Sequence, residues 1–156
     1  MNVEDLMSSE VITMHADSVL TDAEEIMGFR RFRHLPVVDG PERRLVGLLT
    51  HRDLARAAVS SVRGDRREDR VLMASIPVRE VMHTQVETIL ATAPLQAAAE
   101  RMRQTKYGCL PVVDDDDRLV GILTEADFVR LAEVLLSNLI GDRAERQAEL
   151  KGWFHD

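Results

Sequence analysis

The 156-residue chain has one cysteine, one tryptophan, one tyrosine and four phenylalanines. A lone thiol, Cys109, cannot close an internal disulfide, so burial and hydrogen bonding must carry the fold, and a reducing compartment is expected. No apolar run approaches the ~20 residues that span a bilayer. The opening Met1-Asn2-Val3-Glu4-Asp5 is acidic and lacks the basic-then-apolar order of a signal peptide. A cytoplasmic protein without membrane association is therefore the expectation. Excess positive charge is missing too: 20 Lys and Arg face 27 Asp and Glu, a net charge of −7. That argues against nucleic-acid binding driven by phosphate neutralisation. One basic cluster, Arg63, Arg66, Arg67 and Arg70, is interleaved with Asp65, Glu68 and Asp69 and reads as solvated linker.

Catalytic signatures are equally scarce. His51-Arg52-Asp53-Leu54 matches the start of a protein-kinase catalytic loop, but Ala58 stands where that loop needs Asn, and no Gly-rich loop or Asp-Phe-Gly accompanies it. The acidic run Asp114 to Asp117 lacks the glycine of a calcium loop, since Leu119 occupies its sixth position. His15, His34, His51, His83 and His155 are scattered, with no pair at metal-ligand spacing. His34 reads as a polar group at a strand start, and Cys109, beside Leu110, as a small core residue. No Gly-x-Ser-x-Gly and no Cys-His or Ser-His pairing can be argued from spacing. No catalytic residue, metal site or required cofactor is expected.

What the sequence does have is a repeat. Leu35-Pro36-Val37-Val38-Asp39 recurs as Leu110-Pro111-Val112-Val113-Asp114, 75 residues on (35 to 110). Arg44-Leu45-Val46-Gly47-Leu48-Leu49-Thr50 recurs as Arg118-Leu119-Val120-Gly121-Ile122-Leu123-Thr124, 74 residues on (44 to 118). The turn Gly40-Pro41-Glu42-Arg43, one residue longer than Asp115-Asp116-Asp117, accounts for the difference. Asp53 recurs as Asp127, and Leu6-Met7 answers Val81-Met82. A repeat of half this length buries little surface alone, so the halves should pack as one body.

Each copy reads as strand, helix, strand, strand, helix. Val11-Ile12-Thr13 and Val86-Glu87-Thr88-Ile89 are the first strands. Val19, Ala23, Ile26 and Met27 recur at helical spacing, with Thr21 and Glu24 as a candidate capping box. Leu95, Ala98, Ala99 and Met102 line a second helix, with Pro94 in its first turn. Continuous apolar runs at Leu35–Val38, Leu45–Leu49, Leu110–Val113 and Leu119–Leu123 suit strands buried on both faces. Helices follow near Thr50 and Thr124. The last one carries the stripe Val129, Ala132, Leu135, Leu136 and Leu139, with Gly141-Asp142 as a candidate break. Trp153-Phe154 in the tail would dock either on its own chain or on a second copy. These readings divide the chain into repeat 1 (1–59), linker (60–76), repeat 2 (77–137) and a helical tail (138–156).

The ordered signature resembles the cystathionine-β-synthase (CBS) domain family in its tandem-pair form: Leu6-Met7-Ser8 and Val81-Met82-His83, then Leu-Pro-Val-Val-Asp, then Leu-Val-Gly-x-Leu-Thr-x-x-Asp. The resemblance spans roughly residues 3 to 137. It implies a mixed α/β fold of two β-α-β-β-α repeats about a pseudo-twofold axis, homodimerisation, and two clefts that in many members take AMP, ADP, ATP or S-adenosylmethionine. It also implies that each cleft mixes the Thr-x-x-Asp of one copy with the segment before Leu-Pro of the other. The favoured cleft would hold Leu48, Thr50, Arg52 and Asp53 opposite Gln85, Tyr107 and Gly108. The second would hold Ile122, Thr124 and Asp127 opposite Glu10, Phe32 and Arg33.

The chemistry agrees with that assignment. A carboxylate at a helix start can accept ribose hydroxyls, a guanidinium can fork onto phosphate, and Thr-x-x-Asp at the same place is also ordinary capping. Arg52 has no counterpart at Ala126, and Glu125 would repel phosphate, so the clefts should be unequal. The reading that follows is a ligand sensor whose movement an unidentified partner protein detects. Its rival is a dimerising scaffold whose cleft is filled by Tyr107, Arg33 and Phe32.

Overall fold

The computed structural model describes the backbone of residues 1–30, 33–59 and 66–152, and within these all side chains but those of 30, 59, 66–69 and 140–152. The predicted order holds. Strand β1 (Met14–His15), helix α1 (Leu20–Arg30), strands β2 (His34–Asp39) and β3 (Arg44–Thr50) and helix α2 (His51–Val59) form the first copy. Strand β4 (Ile89–Leu90), helix α4 (Leu95–Thr105), strands β5 (Cys109–Val113) and β6 (Leu119–Thr124) and helix α5 (Glu125–Gly152) form the second, with helix α3 (Arg66–Met73) between them. The chain divides into two compact units, Met1–Leu123 and Thr124–Asp156, each described by itself below.

Each sheet has three strands, ordered β1-β2-β3 and β4-β5-β6. β1 runs parallel to β2, with Met14 opposite Val37, and helix α1 makes the crossover that a parallel pair requires. β2 and β3 are antiparallel, His34 opposite Thr50 and Asp39 opposite Arg44, with an irregularity at Val37/Val38. Residues Leu35 to Val38 are buried, as are all five residues of β5, matching the expected two-sided burial, whereas β6 alternates buried and half-buried. Pro36 sits mid-sheet yet costs no bond to β3. Its partner Leu48 turns both its N–H and its carbonyl away from β2, towards His83.

Apolar packing follows the helical spacing read from sequence. Leu20, Ala23 and Met27 of α1 join Met14, Leu35, Val37, Leu49, Leu54, Met73 and Val78 in one core. Each fully buried aliphatic chain contributes roughly 1.5–3 kcal/mol. In the second copy Leu95, Ala98, Met102, Leu110, Val112 and Leu123 are buried at equivalent places.

Four local expectations are corrected. The first strands are two residues long and lie later, at Met14–His15 and Ile89–Leu90, because only there does the chain run beside β2 and β5. Helix α1 begins at Leu20, so Thr21 is inside it and past the capping position. The basic linker carries α3, held down because Met73 is buried in the first core. Helix α5 continues through Gly141-Asp142 to Gly152; one glycine costs only about 1 kcal/mol of helix. Trp153 and Phe154 lie outside the described residues.

The two copies are joined by exchange. The opening segment of each is hydrogen-bonded to the other copy. Val78 and Arg79 donate to the Ser18 and Ala16 carbonyls at 2.7 and 3.0 Å, and Val3 and Glu4 donate to the Ala93 and Ala91 carbonyls at 2.9 and 3.0 Å. His83 and Leu48 exchange backbone bonds at 2.9 Å each, and Ser8 and Ile122 do the same at 3.0 Å each. Each opening segment thus runs beside the last strand of the opposite sheet. The turns before β3 and β6 also meet: Leu119 donates to the Arg43 carbonyl at 3.1 Å, and Glu42 lies between Arg44 (3.7 Å) and Arg118 (3.5 Å), offsetting two like charges.

Glycine makes this approach possible. A Cβ on Gly47 would run into Met82 Sδ and lie 3.0 Å from Met82 Cγ and 3.1 Å from the His83 carbonyl. The three atoms nearest a Cβ on Gly121 all belong to the Met7 side chain, Cγ at 3.0 Å and Cε at 3.2 Å among them. We therefore expect Gly47→Ala to lose about 1–3 kcal/mol in urea unfolding and Gly121→Ala less, since a thioether yields where a backbone carbonyl does not. Equal losses would contradict this account of the joint.

Candidate functional site

Strand β3 ends at Thr50 and helix α2 starts at His51, leaving first-turn N–H groups without helical partners. Thr50 and Asp53 satisfy part of this demand reciprocally. The Thr50 N–H and hydroxyl donate to Asp53 Oδ2 at 2.9 and 2.5 Å, and the Asp53 N–H donates to Thr50 Oγ1 at 3.3 Å. This is a capping box with aspartate as its acid. The second copy repeats the aspartate's half of it, with Thr124 N–H and hydroxyl donating to Asp127 Oδ2 at 2.8 and 2.7 Å.

Both carboxylates are buried, Asp53 at 4% and Asp127 at 3% exposure. A buried charge needs partners, and the remaining oxygens find different ones. Asp127 Oδ1 accepts from Arg130 Nη2 of its own helix at 2.8 Å. Asp53 Oδ1 lies 3.0 Å from Nε2 of His83, a residue of the opposite copy's opening segment. Sequence reasoning missed His83 as a site residue. Its signal was present, since it directly follows the Val81-Met82 that answers Leu6-Met7, but no pattern says which opening residue reaches the helix start.

The other expected residues are placed as follows. Leu48 is half-buried on β3 and carries the backbone pairing to His83. Arg52 is exposed in the first turn of α2. Gln85 is exposed two residues beyond His83, Tyr107 is 47% exposed between α4 and β5, and Gly108 is half-buried beside it. Among the described residues no hydrogen bond or ion pair joins Gln85, Tyr107 or Gly108 to Thr50, Arg52 or Asp53. Of the second set, Ile122 is half-buried and paired with Ser8, Thr124 and Asp127 form the cap above, Glu10 and Arg33 are exposed, and Phe32 lies outside the described residues. The side chain that reaches Asp53 from the opposite copy is His83, while Tyr107 and Arg33 are exposed.

Among the described residues no three of His, Cys, Asp and Glu gather as metal ligands, and no helix is long and apolar enough to cross a membrane. His34 opens β2, as expected. An open groove between α1 and α3, lined by Thr21, Asp22, Glu25, Arg70, Val71 and Ala74, contains none of the site residues. Cys109 is buried, and loss of hydration pushes its thiol from 9.0 up to about 12.

The sequence profile described as "CBS domain" matches residues 3–60 and 78–133. A CBS domain-containing protein of Dictyostelium discoideum is 35% identical over 130 residues, covering 83% of this chain and 89% of its own. Among solved structures, a protein assigned to acetoin utilization (AcuB) from Vibrio cholerae is similar at 39% identity and TM-score 0.75, covering 88% of this chain and 93% of its own. The CBS domain pair of protein MJ0100, in complex with 5'-methylthioadenosine and S-adenosyl-L-methionine, is similar at 30% identity and TM-score 0.70, covering 84% and 98%. CBSX2 in complex with AMP is similar at 26% identity and TM-score 0.72, covering 86% and 97%. Some relatives are longer enzymes: this chain spans 24% of the homoserine O-acetyltransferase of Methanohalobium evestigatum, 29% identical over 131 residues.

Two outcomes follow from this geometry. Thr50→Val removes the hydroxyl from the capping box and should cost about 1–2 kcal/mol in thermal or urea unfolding. Cys109 stays a thiol in the folded chain at pH 8, and the thiolate is the reactive form, so iodoacetamide should label it only in denaturant. Above pH 9 the unfolded chain loses this proton while the folded chain keeps it until about 12. Cys109 therefore lowers stability as pH rises through that window, a slope that Cys109→Ala should reduce.

Proposed function

The chain belongs to the CBS domain family as a tandem pair, and from that premise we propose that it is a non-catalytic regulatory module binding an adenine nucleotide or related adenosyl ligand in its first cleft. The observation that carries the reading is the Thr50–Asp53 pair at the start of α2, on the strand whose Leu48 is bonded to the other copy at His83. Asp53 supplies acceptors for ribose hydroxyls, exposed Arg52 supplies a forked donor for phosphate, and Leu48 supplies an apolar wall. The adenosyl ligands of the MJ0100 pair and the AMP of CBSX2 support this ligand class.

A ligand held at Asp53 acts on the β3–opening-segment joint. It shifts the relation of the copies by as much as its affinity for the two arrangements differs, and a partner protein reads the shift. Exposed Val129 (69%), Leu135 (54%), Leu136 (59%) and Leu139 (60%) on α5 support assembly with a second copy through that helix. The single buried thiol suits a reducing cytoplasm. One observation favours the scaffold reading instead: His83 already occupies Asp53 Oδ1.

Calorimetry separates the two readings. AMP should bind, and Arg52→Ala should weaken AMP by about tenfold, the worth of one charge-assisted contact, while leaving adenosine affinity unchanged. Native mass spectrometry of the same sample should show two chains per particle. Failure of AMP, ATP and S-adenosylmethionine alike to bind would leave the scaffold.

A further inference from the structure

We infer that His83 sets the ligand affinity of the first cleft by occupying the carboxylate oxygen that a ribose hydroxyl needs, so that ligand binding requires its displacement. The inference rests on the reading of that cleft given above. Asp53 has two oxygens. Oδ2 is committed to the Thr50 N–H and hydroxyl, and giving it up would undo the capping box. Oδ1 is the exchangeable one, and His83 Nε2 holds it at 3.0 Å.

The two ends of this contact differ in mobility. The His83 backbone is pinned by two bonds to Leu48, whereas its side chain is 57% exposed above a carboxylate that is 5% exposed. Release therefore needs only a change of rotamer at a fixed Cα. At the second helix start Asp127 Oδ1 is held by Arg130, three residues along the same helix, so its release there would break a bond within one helix only. The position matching His83 in the first opening segment is Ser8, whose side chain is far shorter. At the first site, emptying the oxygen also releases a side-chain bond contributed by the other copy's opening segment.

Titration calorimetry with AMP and adenosine tests this on the wild type, His83→Ser and His83→Gln. His83→Ser should bind both ligands about fivefold to tenfold more tightly, the net worth of one removed hydrogen bond. His83→Gln, with an amide donor of similar reach, should return affinity towards the wild type. Binding by His83→Ser where the wild type shows none supports the inference equally. Unchanged or weaker binding by His83→Ser, with AMP bound by the wild type, overturns the inference and leaves the cleft reading standing. Binding of AMP by neither protein removes the cleft reading and the inference with it.

Discussion

The backbone exchange between Leu48 and His83, matched by that between Ser8 and Ile122, is the constraint on which the rest of the described structure depends. Each sheet has only three strands and a first strand of two residues. A sheet that small presents unpaired edges and little core. Running the opposite opening segment beside β3 and β6 supplies the missing edge bonds. It also brings Val3 and Val78, both fully buried, into the copies that do not encode them. The sequence repeat and the packed body are therefore not the same object, and neither half has all its edge partners without the other's first few residues.

This exchange explains why glycine stands at Gly47 and Gly121. The residue before each crossing pair must leave room for Met82 or Met7 from the opposite opening segment. A conformational reason for these glycines is not needed, because neither has a positive φ; among the described glycines that feature belongs to Gly40, in the turn between β2 and β3. The methionine of the opening motif and the glycine of the third strand are thus two halves of one contact, separated by 35 residues in one direction (82 to 47) and 114 in the other (7 to 121).

Much of the fold was legible because its signals are local or duplicated. Leu35 to Val38 and Leu110 to Val113 announce buried strands by composition. The helix starts at Thr50 and Thr124 follow from residue type, and the recurrence of two short blocks in the same order removes most alternatives. The first strands were placed too early because a two-residue strand is defined by its parallel partner, not by a β-branched run; Val11 and Ile12 are only half-buried beside the strand proper. Helix α3 was hidden by its charge, since among its described side chains only Met73, at its end, is drawn into the core. At the site, Thr50 and Asp53 were visible as a spacing of three. His83 was not, because its contact depends on the crossing of segments 30 residues apart (53 to 83).

The two copies then differ where their sequences do, on a scaffold that is otherwise shared. Burial forces each aspartate to fill both oxygens, and the capping threonine fills one in each copy. What fills the other decides what each site can couple to. Arg130 ties the second oxygen of Asp127 to its own helix. His83 makes Asp53 a point at which a helix start, a strand edge and the opposite opening segment converge. Each holder makes one contact, His83 Nε2 at 3.0 Å and Arg130 Nη2 at 2.8 Å. Two like helix starts thus differ in what holds the second carboxylate oxygen: a residue of the same helix at Asp127, and a residue of the opposite copy's opening segment at Asp53.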